Sequence, residues 1–419
     1  MKILISVNKL DVIVIGGGAA GFFGAIACTN ANPAVKVTLL EAGRKPLAKV
    51  RISGGGRCNV THDCFDPARL VQHYPRGGKA LRGAFTRFQP QDTVEWFKSH
   101  GVQLKTEADG RMFPTTDNSE TIVDCLMQAV VQAGVILRTG VAVKSVKNFS
   151  DTETGKYFQV ELKNEEILKC DRLLIATGSN PLGHRWAKNL GHKIESPVPS
   201  LFTFNIKDTR LQGLAGVSVS HAEVRLGTGK NKLEQSGALL ITHWGVSGPA
   251  ILKLSAWGAR VLYDLKYDSS LQINWLPEYN QETLKEYLSA IKLDSSKKKI
   301  VNYCPLKLPK RLWQSLVNYA EIKPEKVWSE LSKQELNKLV VEIVQGQYQI
   351  KGKSAFKEEF VTCGGVNLKE INFKTMESKK CPELYFAGEV LDIDGVTGGF
   401  NFQSAWTTSW LAGQAISNS

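Results

Sequence analysis

At 419 residues, 42% hydrophobic and 22% charged, the chain is too long for one compact domain and has the composition of a globular protein with a sizeable core. That excludes disorder, collagen and coiled coil as the main architecture. The net charge of +13 favours attraction to anions, nucleic acid included, and says nothing about fold. Eight cysteines without a C-x-x-C pair suggest neither a zinc ribbon nor a disulfide scaffold, and are read as free thiols in a reducing cytoplasm.

The first element is the β-branched run Val12-Ile13-Val14-Ile15, expected as a strand buried on both faces. Gly16-Gly17-Gly18-Ala19-Ala20-Gly21 follows, then an Ala-rich helix to Cys28, then a second strand from Val35 to Leu40 ending at Glu41. The uncharged stretch Val12 to Val35 is long enough to span a bilayer. Its five glycines and Pro33 fit a strand–turn–helix better, and with no cleavable signal visible a cytoplasmic protein is expected.

Helices are predicted over Asp92–Ser99 and Ser119–Ala133, and a buried strand over Leu173–Ala176 running into a turn at Thr177-Gly178. From about residue 200 apolar residues alternate, predicting antiparallel strands at Phe202–Ile206, Val217–Leu226, Val261–Tyr267 and Leu271–Trp275 in a small barrel or sandwich. The period then turns helical, with Leu336, Leu339, Val340 and Ile343 on one face and Ser332 with Glu335 as a capping box. Leu384–Glu389 reads as a strand and Asn401 onward as a closing helix. The expected fold is therefore α/β: a Rossmann-type domain (1–196 and 355–419) interrupted by a β-rich, barrel-like domain (197–279 and 345–354) and a small helical domain (280–344).

Gly16, Gly18 and Gly21 fit G-x-G-x-x-G between a strand and a helix. In that setting the first glycine permits the turn, the second lets a pyrophosphate approach, and the third allows close helix packing. Glu41, twenty residues past Gly21, stands where a carboxylate binds ribose hydroxyls. The fingerprint alone does not choose between FAD and NAD. FAD is favoured because no second fingerprint is present and because Ser53-Gly54-Gly55-Gly56-Arg57-Cys58-Asn59 offers a backbone nest for a phosphate or flavin edge. Gly388-Glu389, with the Gly395–Asn401 loop, also places an acid and a helix N-terminus where ribitol and the flavin N1/O2 region would need them.

These residues carry a resemblance. Ser53–Thr61, Thr242–Ala250, Val361–Val366, Thr375–Lys379 and Phe386–Gln403 resemble signatures of the YhiN/BaiN-type, aminoacetone-oxidase-like flavoproteins, from about residue 10 to the C-terminus. One departure is Ala176-Thr177-Gly178-Ser179, where the family commonly has a second glycine. The resemblance implies FAD contacts at Gly16, Gly18, Gly21, Glu41, Ser53, Gly54, Arg57, Asn59, Thr177, Gly178, Gly388, Glu389, Gly399, Asn401 and Gln403. It associates the family with aminoacetone, steroid-like enones and a ribosomal RNA uridine reduced to dihydrouridine.

The catalytic acid is not readable. Cys58 is either a redox thiol or proton donor, or small buried packing, which is the commoner role; Cys363 is a weaker candidate of the same kind. His243 either faces substrate as an acid or is a hydrogen-bonded structural histidine. Two basic segments stand out: 44–88, with ten Lys and Arg against Asp63 and Asp66, and 280–311, with eight against Glu282, Glu286 and Asp294. They read either as an RNA-binding surface, with Phe65, Tyr74, Phe85 and Phe88 to stack bases, or as solvated surface. The expectation is an FAD-dependent reductase acting on an rRNA uridine. Its alternatives are a small-molecule amine oxidase or enone reductase, and a flavin-bearing binding factor without turnover. NAD(P)H is expected at most as a transiently docked electron donor.

Overall fold

Val12–Ile15 lies in the middle of the five parallel strands of a seven-stranded sheet in the computed structural model, which describes residues 10–151, 155–227, 232–353 and 361–418. Strand Asp11–Ile15 pairs in parallel with Lys36–Glu41 on one side and Arg172–Ile175 on the other. Ile136–Thr139 extends the first side and Leu384–Phe386 the second, also in parallel. Two short antiparallel strands, Glu377–Ser378 and Ile371–Asn372, finish the edge. The chain passes to opposite sides of the first strand, so a switch point lies at that strand's C-terminal end, where open α/β sheets bind ligands.

Helix Ala19–Ala31 is buried from Ala20 through Thr29, which explains its nearly continuous apolar sequence. It packs beside the C-terminal helix Phe400–Ser417, and a Cβ on Gly413 would sit 2.7 Å from that of Ala27. Two three-stranded antiparallel sheets, one built on Arg111–Pro114 and one on Gly155–Leu162, complete this unit, which comprises Met1–Pro197 and Thr362–Ser419.

The second unit, Val198–Val361, is built on a six-stranded sheet ordered Phe204–Asn205, Gly245–Ser247, Leu233–Ile241, Ser218–Leu226, Asp268–Asn274 and Gly346–Lys351. A bridge from Phe204 to Lys353 and a bond from the Asn205 N–H to the Gly352 carbonyl (3.0 Å) join its first and last strands into a barrel. Helices Gln281–Asp294, Lys310–Tyr319 and Lys333–Gln345 share the barrel's hydrophobic core, in which Trp275, Trp313, Trp328 and Tyr348 are fully buried. The β-rich and helical segments thus make one packed unit rather than two cores. The expected boundary at 354/355 lies outside the described residues.

Val261–Tyr267, expected as a strand, is instead helix Ala259–Asp264 and its exit. The alternating residues Val261, Tyr263 and Leu265 are exposed, whereas Leu262, Ala259 and Leu254 are buried. Burial here follows a helical stagger continued from helix Pro249–Trp257 across Gly258, so a period of two in composition was not a period of two in packing. Phe202–Ile206 contributes only Phe204–Asn205 as strand.

The capping box at Ser332 forms as expected: Ser332 Oγ accepts from the Glu335 N–H (3.2 Å), and Glu335 Oε2 accepts from the Ser332 N–H (2.9 Å). Burial alone would raise the Glu335 pKa, but hydrogen bonds from Lys326 Nζ and Ser332 outweigh it and hold the carboxyl at about 2, against an ordinary 4.5. A depressed folded pKa contributes stability that is complete above about pH 4.5 and lost as pH falls toward 2. Glu335→Gln is therefore expected to lower the melting temperature at neutral pH and to converge with the parent near pH 2, as read by thermal melts across that range.

Candidate functional site

The glycine turn after Asp11–Ile15 is fixed by contacts that leave no room for side chains. A Cβ on Gly21 would lie 1.8 Å from the Gly16 carbonyl oxygen, and one on Gly16 would lie 2.4 Å from that of Ala176. Gly18, the N-cap of the helix, faces open space, with no atom within 4 Å of a Cβ placed there. No acidic residue occupies the first helical turn, so the free N–H groups and the helix dipole favour an anion. Glu41 accepts from the Gly17 N–H through Oε2 and from the Gly43 N–H through Oε1, both 2.6 Å. Each oxygen keeps a further lone pair for a hydroxyl donor.

The ends of the neighbouring strands meet the same turn. A Cβ on Gly388 would touch that of Ala20 at 2.9 Å, and one on Gly178 would lie 3.6 Å from Glu389 Oε2. Glu389 is held by the Thr362 N–H (3.1 Å) and by Lys49 Nζ (2.7 Å). Lys49 counted in the sequence only toward a basic excess; its pairing across 340 residues leaves no local signal. Thr177 Oγ1 is buried and has no hydrogen-bond partner among the described residues, a polar atom that a bound ligand would satisfy. Together, an open helix N-terminus, a ribose-competent carboxylate and an orphaned hydroxyl fit a dinucleotide.

Ser53–Asn59 is less loop-like than expected. Residues Ala48–Gly56 form a helix broken at Ser53, and Gly54, Gly55 and Gly56 follow with φ of +57°, +69° and +84°. Gly55 and Gly56 face open space. Arg57 is committed: Nη1 pairs with Glu107 (2.6 Å) and Asp117 (3.4 Å), and the guanidinium lies 4.0 Å from the Phe113 ring centre. Asn59 donates to the Thr61 carbonyl and accepts from the Gly399 N–H, both 3.0 Å. Asn401 braces its own loop, exchanging bonds with Gly395 N (2.8 Å) and O (2.9 Å). Gln403 is fully buried, accepting from Thr61 (2.6 Å) and Thr93 (2.9 Å) and donating to Thr407 (3.1 Å). In this structure Asn59 and Asn401 hold backbone groups at the Gly395–Gly399 loop that leads into the last helix, and Gln403 of that helix bonds three threonine hydroxyls.

Cys58 is fully buried, and burial pushes its thiol up to about 12, so it packs as a neutral thiol; Cys363 is buried as well. His243 is exposed beside Trp244 (61% exposed) on the turn between Leu233–Ile241 and Gly245–Ser247 of the second unit. Of the aromatics expected to stack bases, Tyr74, Phe85 and Phe88 are buried core and only Phe65 is exposed; large rings interleaved with charge were filling the interior. Many cations of 44–88 are engaged, for example Arg51 with Glu120 and Arg76 with buried Asp394. Ser378, His192 and Glu370 form a chain of 2.8 and 3.1 Å contacts that the sequence did not disclose. Ser378 Oγ also accepts from the N–H groups of Lys380 and Cys381 and is buried, so the chain pins the sheet edge and is no nucleophile.

The HI0933-like protein Rossmann domain family matches residues 10–415. An Escherichia coli K12 protein named ribosomal RNA dihydrouridine synthase is 32% identical over 98% of both chains. A Clostridium scindens protein named 3-dehydro-bile acid delta(4,6)-reductase is 29% identical over 96% of this chain and 98% of its own. Among solved structures, the Rhodococcus jostii 3-ketosteroid-delta4-(5alpha)-dehydrogenase shares the fold at a TM-score of 0.51, with 13% identity and 99% coverage of both chains. Among the described residues no helix is long and apolar enough to cross a membrane. With the glycine turn, its carboxylate and matching relatives along the whole chain, the protein belongs to the HI0933-like Rossmann family, the YhiN/BaiN-type flavoproteins, and is an FAD-dependent oxidoreductase.

Proposed function

We propose that the protein reduces a uridine of ribosomal RNA to dihydrouridine, in the cytoplasm, drawing electrons from a transiently docked NAD(P)H. The observation that carries this reading is full-length similarity to a relative bearing that activity in its name, supported by the chain's basic balance. FAD, when bound, supplies the hydride. The residues of this chain do the holding. The Gly16–Gly21 turn and the helix N-terminus carry the pyrophosphate, Glu41 the adenosine ribose, and Thr177, Gly178, Gly388 and Glu389 the polyol chain. The Ser53–Gly56 turn and the Gly399 end of the last helix flank the ring system, with Asn59 and Asn401 bracing the backbone of that end and Arg57 and Gln403 anchored beside them by side-chain contacts. A helix N-terminus favours negative charge gathering at the pyrimidine end of the ring.

The bile-acid reductase relative favours a second reading, reduction of a small-molecule enone. The chemistry is shared: uracil and a 3-keto-4-ene steroid each present a C=C conjugated to a carbonyl, so hydride adds at the β-carbon and a proton at the α-carbon. A salt titration of binding to ribosomal RNA, with a sulfated polyanion as control and steroid enones as competitors, separates them. RNA binding stronger than the control and indifferent to the steroid is expected. Binding equal to the control, with the flavin spectrum perturbed only by the steroid, contradicts the RNA reading.

Glu41→Ala removes a charged acceptor from the ribose and frees the Gly17 and Gly43 N–H groups it now holds. The FAD Kd is expected to rise about tenfold to a hundredfold, the worth of a charge-assisted hydrogen bond, as read by titrating apoprotein with FAD.

A further inference from the structure

The second unit carries a groove of about 1270 Å³ between helices Lys310–Tyr319 and Lys333–Gln345. Each helix turns one face to it with the same stagger. Arg311, Gln314, Ser315 and Asn318 stand at i, i+3, i+4 and i+7 on the first, and Gln334, Asn337, Lys338 and Val341 on the second. The opposite faces, Leu312, Trp313, Leu316 and Val317 against Leu336, Leu339, Val340 and Ile343, are core. The amphipathic pattern thus accounts for both helices without requiring five carboxamides, counting Gln212, in one depression. Among the described residues none of those five amide groups makes a hydrogen bond within the protein.

The charges of the groove are as selective. Its two acids are spent: Glu342 pairs with buried Arg210 and Glu321 with Lys338, both at 2.5 Å. Arg311, which touches the Gly213 carbonyl, has no acidic partner among the described residues. Tyr319 is 45% exposed, and the Arg210 guanidinium lies 4.4 Å from its ring centre.

We infer that this groove binds unpaired RNA, reading base edges rather than only phosphate charge. Each carboxamide offers a donor and an acceptor in one plane, matching the polar edge of a nucleobase. An exposed aromatic ring gives a base a stacking surface, and an uncompensated arginine meets the phosphate. Base edges are open in this way only in single strands and loops, because side chains cannot read the narrow major groove of an RNA duplex. The inference rests on the RNA reading above and extends it: target choice is made partly on the second unit, by side chains that contribute nothing to the flavin turn.

The test uses full-length holoprotein and a short fluorescent single-stranded oligoribonucleotide, with the same sequence as a duplex and heparin as controls. The variants are Q314A/N318A/N337A, Tyr319→Ala, and Lys188→Gln on the first unit as a charge control. Single-strand affinity is expected to fall about fivefold to a hundredfold in the triple variant and in Tyr319→Ala, while heparin binding and Lys188→Gln stay near the parent. The triple variant changes only surface amides, so it decides the matter if Tyr319→Ala melts early. Unchanged single-strand binding in the triple variant, or an equal loss for heparin, overturns the inference. Parent protein that makes dihydrouridine with groove-independent binding overturns the groove alone. Groove-dependent binding without dihydrouridine overturns the substrate reading alone, and a parent that binds no RNA overturns both.

Discussion

A Gly21→Val protein is expected to purify without flavin and to melt well below the parent. The added Cβ would fall 1.8 Å from the Gly16 carbonyl oxygen. That oxygen belongs to the turn itself and cannot rotate away, so helix Ala19–Ala31 must lift off the sheet. Overpacking of this kind costs about 1–3 kcal/mol or more, and the displaced helix N-terminus no longer points its N–H groups at a phosphate. Gly18→Ala separates the two effects. Its backbone is extended with φ of −92°, and nothing lies within 4 Å of the new methyl. Melting should be nearly unchanged, while FAD retention falls because the methyl occupies the approach of the pyrophosphate. The ratio of flavin to protein absorbance and a thermal melt read both. A Gly21→Val protein with a full flavin complement would show that the turn is not the dinucleotide site.

Arg210→Met carries the second large effect, on the second unit. Arg210 is buried, donates to Asp208 (2.9 and 2.7 Å) and Glu342, and sits 3.7 Å from the Tyr348 ring centre. Burial pushes the Asp208 pKa up, but hydrogen bonds from Arg210 more than reverse it, so its carboxyl stays below the ordinary range. Removing the guanidinium strands two carboxylates, and a broken buried ion pair costs about 3–5 kcal/mol. Because protonation relieves the stranded charges, the deficit should shrink as pH falls below the raised pKa values of the variant. A deficit constant with pH would mean that packing, rather than charge, is what Arg210 contributes. Chemical denaturation at two pH values distinguishes the cases.

The residues that spoke clearly in the sequence are those whose role is local. Val12–Ile15, the three glycines and Glu41 lie within thirty residues, and one strand–turn–helix–strand unit binds them together, so spacing alone carries the chemistry. Ser332 and Glu335 cap their helix for the same reason. Long-range pairs were silent. Lys49 meets Glu389 across 340 residues, and Gln403 meets Thr61 across 342, at distances fixed by the whole sheet rather than by any motif. Alternation misled at Val261–Tyr267, where the alternate residues are exposed and a helix lies beneath. Ring-rich stretches misled at Tyr74, Phe85 and Phe88, because aromatics between charges fill a core as readily as they stack on bases. The carboxamide faces of the groove are visible in the sequence as two i, i+3, i+4, i+7 patterns. Polar residues on a helix are the ordinary solvated surface, however, and only their convergence in space marks them.

In the proposed reaction hydride passes from reduced flavin to uridine in RNA. The direct measurement is anaerobic: holoprotein reduced in the absence of excess donor is mixed with ribosomal RNA from cells lacking the orthologous gene, and flavin reoxidation is followed alongside nucleoside mass analysis. Reoxidation matched one-to-one by new dihydrouridine, and absent with RNA that already carries it, is the predicted result. Flavin that stays reduced in the presence of RNA, yet is promptly reoxidised by a conjugated enone, would contradict it.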